Sequence, residues 1–204
     1  MKFLLGTKEE MTQIFDGTGA SYPATVVMAG PCVVTQIKAK GKEGYDALQL
    51  GFGEKRKLLK PQAGHLKGLG NFRYLREVRV SDDEARGFKV GDRVDAALFA
   101  EGDRVRVSGI SKGKGFQGVV KRHGFHGGPR SHGQKHSERE PGSIGGGGRA
   151  GGRVVKGMRM AGRMGGERVS VRNLTILKVL PEENRILIKG AVPGRRGTLL
   201  EIKG

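Results

Sequence analysis

The sequence lacks the features of a secreted or membrane protein. Its 204 residues include a single cysteine, Cys32, which excludes an internal disulfide framework and is typical of a reducing cytoplasm. No apolar run approaches the ~20 residues of a membrane helix, no amphipathic basic helix is visible, and the N-terminal Met1-Lys2-Phe3 has no signal-peptide pattern. We therefore expect a cytoplasmic protein without membrane contact, in which Cys32 is a small buried residue of a strand.

The sequence also lacks a compact set of catalytic residues. No nucleophile, general base and orienting acid recur together, and the acidic residues lie mostly in segments expected to be exposed turns. We therefore predict that the protein is not an enzyme and that it uses neither a cofactor nor a small-molecule substrate.

Acidic and large apolar residues are scarce in one long segment, residues 111–172. Its 62 residues include 18 glycines, 14 lysines or arginines and only 3 glutamates, which gives a net charge of +11. Between residues 124 and 153 the only large apolar side chains are Phe125 and Ile144. Ordering each residue costs about 1–2 kcal/mol of backbone entropy, and this segment has no core to offset that cost. We therefore expect a polyanion outside the chain to order it, with nucleic acid as the leading candidate.

The other 142 residues carry +7 of the total net charge of +18 and show a different pattern. Short alternating apolar segments, separated by Gly, Pro and Asp-Gly turns, predict a mainly β fold with a closed or nearly closed β barrel. A helical turn is expected at residues 65–69, and the segment from Ser81 to Glu84 is a helix-capping or turn signal. Strands are expected at residues 3–5, 11–15, 25–38 (bent at Gly30-Pro31), 45–52, 71–80, 90–99, 103–110, 169–180, 185–189 and 198–202.

Residues 113–118 match the pattern G-x-G-x-x-G, which in other contexts binds nucleotides. A dinucleotide site needs this pattern at the start of a helix in a βαβ unit, with an acid about 20 residues later, whereas here Arg122-His-Gly-Phe-His-Gly-Gly-Pro follows. A protein kinase would need a longer chain and a catalytic loop. We interpret the glycines instead as allowing a backbone flanked by Lys112, Lys114 and Lys121 to lie close to phosphates.

Four histidines, His123, His126, His132 and His136, lie within 14 residues, which makes a zinc site worth considering. Structural zinc sites use thiolates and short folded ligand pairs. These histidines lie among Gly, Arg and Lys without a cysteine or acid pattern, and cationic neighbours would repel a metal ion. We therefore expect no metal, and we interpret the imidazoles as groups that stack on bases or bind phosphates.

In three segments the order of the residues is more informative than the amino-acid composition. Residues 99–122 read FAEGDRVRVSGISKGKGFQGVVKR, residues 123–145 read HGFHGGPRSHGQKHSEREPGSIG, and residues 156–166 read KGMRMAGRMGG. Nearer the N-terminus, TVVMAGPC at residues 25–32 and KPQAGH at residues 60–65 belong to the same pattern. Together these segments resemble the bacterial form of the large-ribosomal-subunit protein L three family, and the resemblance covers nearly the whole chain.

The resemblance implies a translation-protein-type β barrel interrupted by a small α+β insertion near residues 40–90, with a long irregular basic extension. Residues 1–110 and 167–204 would form the globular barrel domain. Residues 111–166 would form an extended loop that penetrates ribosomal RNA toward the peptidyl-transferase centre. The resemblance also implies a structural role in the large subunit, direct rRNA binding, a part in early subunit assembly, and neighbouring large-subunit ribosomal proteins as partners.

The expected rRNA contacts are the basic residues, the histidines and one aromatic side chain of this loop. They are Lys112, Lys114, Phe116, Lys121, Arg122, His123, His126, Arg130, His132, Lys135, His136, Arg139, Arg149, Arg153, Lys156, Arg159, Arg163 and Arg168. Some bacterial members of the family carry a methylated glutamine directly after the GSIG element, whereas this chain has Gly146 there, so we expect no modification. A free-standing basic nucleic-acid chaperone or compaction protein is the alternative that the composition leaves open.

Overall fold

The computed structural model describes residues 2–147 and 151–204. Its internal contacts divide the chain into two compact units. We call Met1–Ile110 together with Arg168–Gly204 the barrel unit, and Ser111–Glu167 the extension. The described residues of both units form twelve strands and four α-helices.

Strands dominate the barrel unit, whereas the extension has few regular elements. The strands of the barrel unit are β1 (Phe3–Phe15), β2 (Ser21–Ala29), β3 (Cys32–Lys38), β4 (Ala47–Glu54), β5 (Phe72–Arg79), β6 (Arg93–Val94), β7 (Arg104–Ile110), β10 (Arg168–Leu180), β11 (Arg185–Lys189) and β12 (Leu199–Lys203). Its helices are α1 (Lys40–Glu43), α2 (Lys60–His65) and α3 (Asp82–Arg86), with a 3-10 turn at Ala96–Leu98. The extension contains β8 (Gly115–Gln117), α4 (Val119–His123), a 3-10 turn at Ser137–Arg139, and β9 (Gly162–Met164). None of the helices in the described ranges has the length and apolar character needed to cross a membrane.

Six strands of the barrel unit close into a barrel in the order β1-β12-β7-β10-β11-β2, and each neighbouring pair is antiparallel. Side chains alternate between the two faces of each strand. In β11, Ile186 and Ile188 are fully buried, and in β12 Leu200 and Ile202 are fully buried. The mainly β fold with a barrel that the sequence predicts is confirmed.

A second antiparallel sheet has the order β5-β4-β3-β6. The dipeptide Gly30-Pro31 separates β2 of the barrel from β3 of this sheet, and Gly30 has a φ of +82°, which favours glycine. Residues 25–38 are therefore not one bent strand, as the sequence predicts, but parts of two strands in two sheets. Leu48 and Leu50 of β4 belong to the same hydrophobic core as Leu4 of the barrel, so the two sheets stabilise each other.

Cys32 is the first residue of β3 and is inaccessible to solvent. Its Sγ lies 3.6 Å from the carbonyl oxygen of Leu5, and burial raises the pKa of the thiol to about 12. The thiol therefore stays protonated at neutral pH. The prediction that Cys32 is a small buried residue of a strand is confirmed.

The prediction of separate strands at residues 3–5 and 11–15 is wrong. Strand β1 runs through both segments, and its register with β2 shifts across Glu9 and Glu10. Two successive acids resemble a turn in the sequence, but in the structure they occupy a β-bulge-like irregularity, where Glu9 forms an ion pair with Arg185 at 3.1 Å.

Residues 90–99 also differ from the predicted strand. The Asp92 carboxylate accepts a hydrogen bond from the backbone N–H of Lys89 over 2.7 Å, and this turn occupies the first part of the predicted strand. Only two residues then form β6, and a 3-10 turn follows at Ala96–Leu98. Helix α2 begins at Lys60 with a proline in its first turn and ends at His65. The Leu69 backbone N–H then donates to the carbonyl oxygen of Leu66 over 3.0 Å, so the turn predicted at residues 65–69 is present directly after α2.

Ser81 and Glu84 form a capping box at the start of α3. The Ser81 backbone N–H donates to Glu84 Oε2 over 3.2 Å, and the Ser81 hydroxyl donates to the same oxygen over 3.1 Å. The predicted capping signal is therefore confirmed, and it explains why a helix of only five residues starts at this point.

Replacing Leu4 by alanine should lower the free energy of unfolding by about 2–5 kcal/mol, because Leu4 is fully buried and its removal leaves a cavity in the core. Leu59→Ala removes the same atoms from a side chain that is 70% exposed, and should change the free energy by less than about 0.5 kcal/mol. Urea unfolding followed by circular dichroism measures both values. Equal destabilisation by the two substitutions would contradict this description of the core.

Candidate nucleic-acid interface

The extension has almost no interior. Val119, at 3% exposure, is the only buried residue among the described residues of Ser111–Glu167. Apolar side chains that would build a core elsewhere face solvent, since Phe116 is 77% and Val155 63% exposed. The absence of a core that the sequence predicts is confirmed for these residues. Burial of apolar surface therefore does little to stabilise this unit by itself.

A short antiparallel ladder joins the two ends of the extension. Strands β8 and β9 pair with Gly115 opposite Met164. Next to this ladder, the Ser111 backbone N–H donates to the carbonyl oxygen of Glu167 over 2.9 Å. Backbone hydrogen bonds thus hold the first and last residues of the extension, and only the chain between them depends on other contacts.

Two of the expected RNA contacts, Arg122 and His123, bind the backbone of the extension itself. Both lie in α4, and the carbonyl oxygen of Met160 accepts a hydrogen bond from Arg122 Nη1 over 2.6 Å and lies 3.0 Å from His123 Nε2. A Cβ at Gly162 would lie only 2.6 Å from the same Arg122 Nη1, so glycine makes room for the guanidinium. These two side chains tie α4 to the chain near β9 and maintain the shape of the extension.

An open cleft with a volume of about 530 Å³ lies beside Phe125. The guanidinium of Arg159 lies over the Phe125 ring, 5.4 Å from its centre, and the ring centre of His123 is 5.9 Å away. His126 and Glu140 also line the cleft. Unpaired nucleobases stack on surfaces of this kind, in which an aromatic ring adjoins a cation.

Sequence reasoning omits Phe125 from the expected contacts, although the cleft makes it a candidate. A signal for it is present, because Phe125 is one of only two large apolar residues between residues 124 and 153. A lone aromatic residue in such a segment has few apolar neighbours in the sequence against which it could pack. In such a segment, an isolated aromatic residue is better interpreted as a contact for a base.

Part of the cleft wall is a tight loop that contains two adjacent glycines. The Gly128 backbone N–H donates to the carbonyl oxygens of Ser137 and Glu138, each over 3.1 Å. Gly127 has a φ of +76°, and a Cβ there would lie 1.9 Å from the Glu138 carbonyl oxygen. Arg130 forms an ion pair with the Glu138 carboxylate at 2.7 Å, so one of the expected RNA contacts is partly neutralised within the loop.

Seven of the expected contacts are exposed cations whose side chains form no hydrogen bond or ion pair with any other residue that the structure describes. Their charge is therefore available to an outside anion, and phosphate oxygens are strong acceptors for lysine and arginine. These residues are Lys112, Lys114, Lys121, Lys135, Arg139, Arg153 and Lys156.

The four histidines do not form a metal centre in the structure. In residues 2–147 and 151–204, no group of three or more His, Cys, Asp or Glu side chains is placed to hold a metal ion. His123 binds the backbone, whereas His126, His132 and His136 are exposed. Their rings are accessible to bases or phosphates, as the sequence analysis expects, and this role stays a prediction.

The three remaining basic residues among the expected RNA contacts lie in different parts of the chain. Arg163 is an exposed residue of β9 in the extension. Arg168 begins β10 in the barrel unit and forms an ion pair with Glu201. Arg149 lies outside the described residues.

The G-x-G-x-x-G pattern at residues 113–118 does not lie in a nucleotide-binding unit. Strand β8, which contains its centre, pairs with β9 in an antiparallel arrangement, and the helix that follows, α4, has five residues. A dinucleotide site requires parallel strands joined by a longer helix. The close approach of this backbone to phosphates stays the better interpretation.

Comparison with known proteins identifies the relatives of this chain. A large ribosomal subunit protein uL3 of Acidothermus cellulolyticus is 52% identical over 207 residues, which cover 100% of this chain and 92% of the relative. A protein of the same name from Chloroflexus aggregans is 54% identical over 204 residues, covering 98% of this chain and 96% of the relative. The model of the family Ribosomal protein L3 matches residues 85–185. The chain belongs to the ribosomal protein L3 family.

Membership of the ribosomal protein L3 family confirms the resemblance that the sequence motifs indicate. The family match at residues 85–185 includes β7, the whole extension and all of β10. The pairwise similarity to relatives continues through the rest of the chain. The exposed charge of the extension therefore lies in a part of the chain that the family model itself describes.

Gly127→Ala should weaken RNA binding by the full-length protein at least about tenfold relative to Gly133→Ala, a difference of about 1.4 kcal/mol. Both glycines have left-handed φ values, +76° and +79°, so the two substitutions share the backbone strain. Only at Gly127 would the new Cβ collide with the Glu138 carbonyl oxygen, because nothing lies within 4 Å of a Cβ at Gly133. Fluorescence anisotropy with a large-subunit rRNA transcript measures the affinities, and equal losses would contradict the importance of this loop packing.

Proposed function

We propose that this chain is a structural protein of the large ribosomal subunit that binds large-subunit rRNA directly and supports early assembly of the subunit. Its partners are the rRNA and neighbouring large-subunit ribosomal proteins, it acts in the cytoplasm, and its role is not catalytic. Relatives that are about half identical to the chain bear the name large ribosomal subunit protein, which supports the role in the subunit.

The exposed positive charge of the extension is the observation that carries this proposal. The described part of Ser111–Glu167 has one buried residue and seven exposed cations whose side chains form no hydrogen bond or ion pair with another described residue. An isolated chain of this kind gains too little from burial to offset its backbone entropy. Folded RNA supplies the missing interactions through a dense array of phosphates.

The side chains of the extension have different roles in RNA binding. Arg122 and His123 hold the local backbone in shape through Met160, while exposed residues such as Arg153 and Lys156 bind phosphates. The aromatic surface of Phe125 stacks on an unpaired base. Phosphate contacts position the protein, and the shape of the folded RNA provides the specificity.

Within this proposal, residues 111–166 run through rRNA toward the peptidyl-transferase centre, with residues 141–163 as the tip region. Gly146 lies in that region and has a φ of +94°, a conformation that side chains other than glycine rarely adopt. The local backbone thus suits a glycine where some relatives carry a methylated glutamine. We expect no modification at this position.

Sucrose-gradient sedimentation of a cell lysate tests the proposal. The wild-type chain should sediment with the large subunit. A variant with four exposed cations of the extension replaced should be strongly depleted from that fraction, because each lost charge-assisted contact costs about 1.5–3 kcal/mol. The replacements are Lys135→Gln, Arg139→Gln, Arg153→Gln and Lys156→Gln.

A matched control removes the same charge from exposed lysines of the barrel unit, and it should sediment like the wild type. Its replacements are Lys40→Gln, Lys42→Gln, Lys67→Gln and Lys89→Gln. If the wild-type chain itself stayed near the top of the gradient, free of the large subunit, the ribosomal role would be refuted in favour of a free-standing nucleic-acid chaperone or compaction protein.

A further inference from the structure

Four cations lie together on the outer wall of the barrel unit, in a sequence region separate from the extension. Together with Val105, Asn173 and Gly204 they line an open groove of about 460 Å³. We call them the wall cations. They are Arg104 and Arg106 of β7, Arg172 of β10 and Lys203 of β12.

Strand register places two of the wall cations directly opposite each other. Arg106 pairs with Lys203, and opposite residues of an antiparallel pair project from the same face with Cβ atoms about 4.5–5.5 Å apart. Arg104 shares this outer face, because burial alternates along β7 and Val105 and Val107 are 2% and 0% exposed. Like charges in opposite positions destabilise a sheet. Folding therefore does not explain this arrangement.

An irregularity in β10 adds the fourth cation to the groove. The register between β10 and β7 shifts between Val171 and Leu174, which leaves Arg172 and Asn173 without a partner in the ladder. Asn173 has a φ of +56°, in the left-handed region that asparagine tolerates better than most residues. Bulges of this kind change the direction of a side chain, and here both residues are exposed beside the groove.

The charge of the wall cations is only partly offset by nearby acidic residues. No acidic residue lines the groove, and no wall-cation side chain forms a hydrogen bond or ion pair with any residue in the described ranges. Arg106 and Lys203 also line a neighbouring groove with Glu77 and Glu201, but both of these carboxylates form ion pairs with other cations. A group of like charges without ion-pair partners in a groove attracts a polyanion.

The chemistry of the groove favours a phosphate backbone over an acidic peptide. Three of the four wall cations are arginines, whose planar guanidinium groups bind phosphate in bidentate fashion. Val105 is the one apolar residue in the lining, and it is buried, so the groove offers no hydrophobic anchor of the kind that protein interfaces use. We propose that the wall cations form a second polyanion-binding site, which contacts the phosphate backbone of RNA independently of the extension.

A full-length variant in which the four wall cations become glutamine tests this site. Its binding to a protein-free transcript of large-subunit rRNA is measured over a range of salt concentrations. The slope of log K against log salt should become shallower by roughly 0.7–0.9 for each lost phosphate contact, or about 2–3.6 if three or four contacts are lost. The replacements are Arg104→Gln, Arg106→Gln, Arg172→Gln and Lys203→Gln.

The control is the variant that replaces Lys40, Lys42, Lys67 and Lys89, which removes the same charge from other exposed positions of the barrel unit. It should retain the wild-type slope. An unchanged slope in the wall variant, or the same decrease in the control, would overturn the proposal. Failure of the proposed function would appear elsewhere, as absence of the wild-type chain from large-subunit fractions.

Two further measurements complete the test. The wall variant should unfold thermally at the same temperature as the wild type or higher, because the repulsion between Arg106 and Lys203 is relieved. The single substitution Arg106→Gln should make the salt slope shallower by the amount expected for about one phosphate contact. A polyglutamate peptide tests the other occupant. If the wild-type protein bound this peptide more tightly than the wall variant did, while both proteins had the same salt slope for RNA, the partner would be an acidic protein segment, and the assignment to RNA would be wrong.

Discussion

Ser111–Glu167 combines a large excess of positive charge with one buried side chain among its described residues, Val119, and every other property of the extension follows from this imbalance. Its internal contacts are mainly polar, namely the β8–β9 ladder, the bonds to Met160 and the loop around Glu138. Such contacts fix the local geometry, but their free energy does not offset the entropic cost of ordering a glycine-rich chain. A polyanion that binds the exposed cations provides the remaining free energy, and rRNA has the charge density and the folded shape for that role.

The barrel unit differs from the extension, because its hydrophobic core stabilises it without a binding partner. Fully buried residues such as Leu4 and Ile202 lie in a closed six-stranded barrel whose core continues into the second sheet. Its outer wall nevertheless carries exposed cations without ion-pair partners, as the extension does. Arg106 and Lys203 face each other across two strands at some cost to the fold, and that cost is explained if an anion lies between or above them.

Alternating apolar residues were enough to predict the barrel, and the strand at residues 185–189 has the same bounds in the structure. Sequence reasoning failed where a tertiary contact overrides a local signal, as at Glu9 and Glu10, which look like a turn but lie within β1. For the site, composition identified the cations but not their orientation. Arg122 turns inward to Met160 because the antiparallel pairing of β8 and β9 brings residues about 40 positions apart into contact, and no local pattern records that pairing.

Amide hydrogen exchange of residues 124–153, in the free full-length protein and in its complex with a large-subunit rRNA transcript, tests the central claim most directly. The account predicts weak protection of this segment in the free protein and strong protection in the complex, while buried barrel strands such as β11 are protected in both. Strong protection throughout residues 124–153 in the free protein would contradict it, because the extension would then be ordered without an outside polyanion.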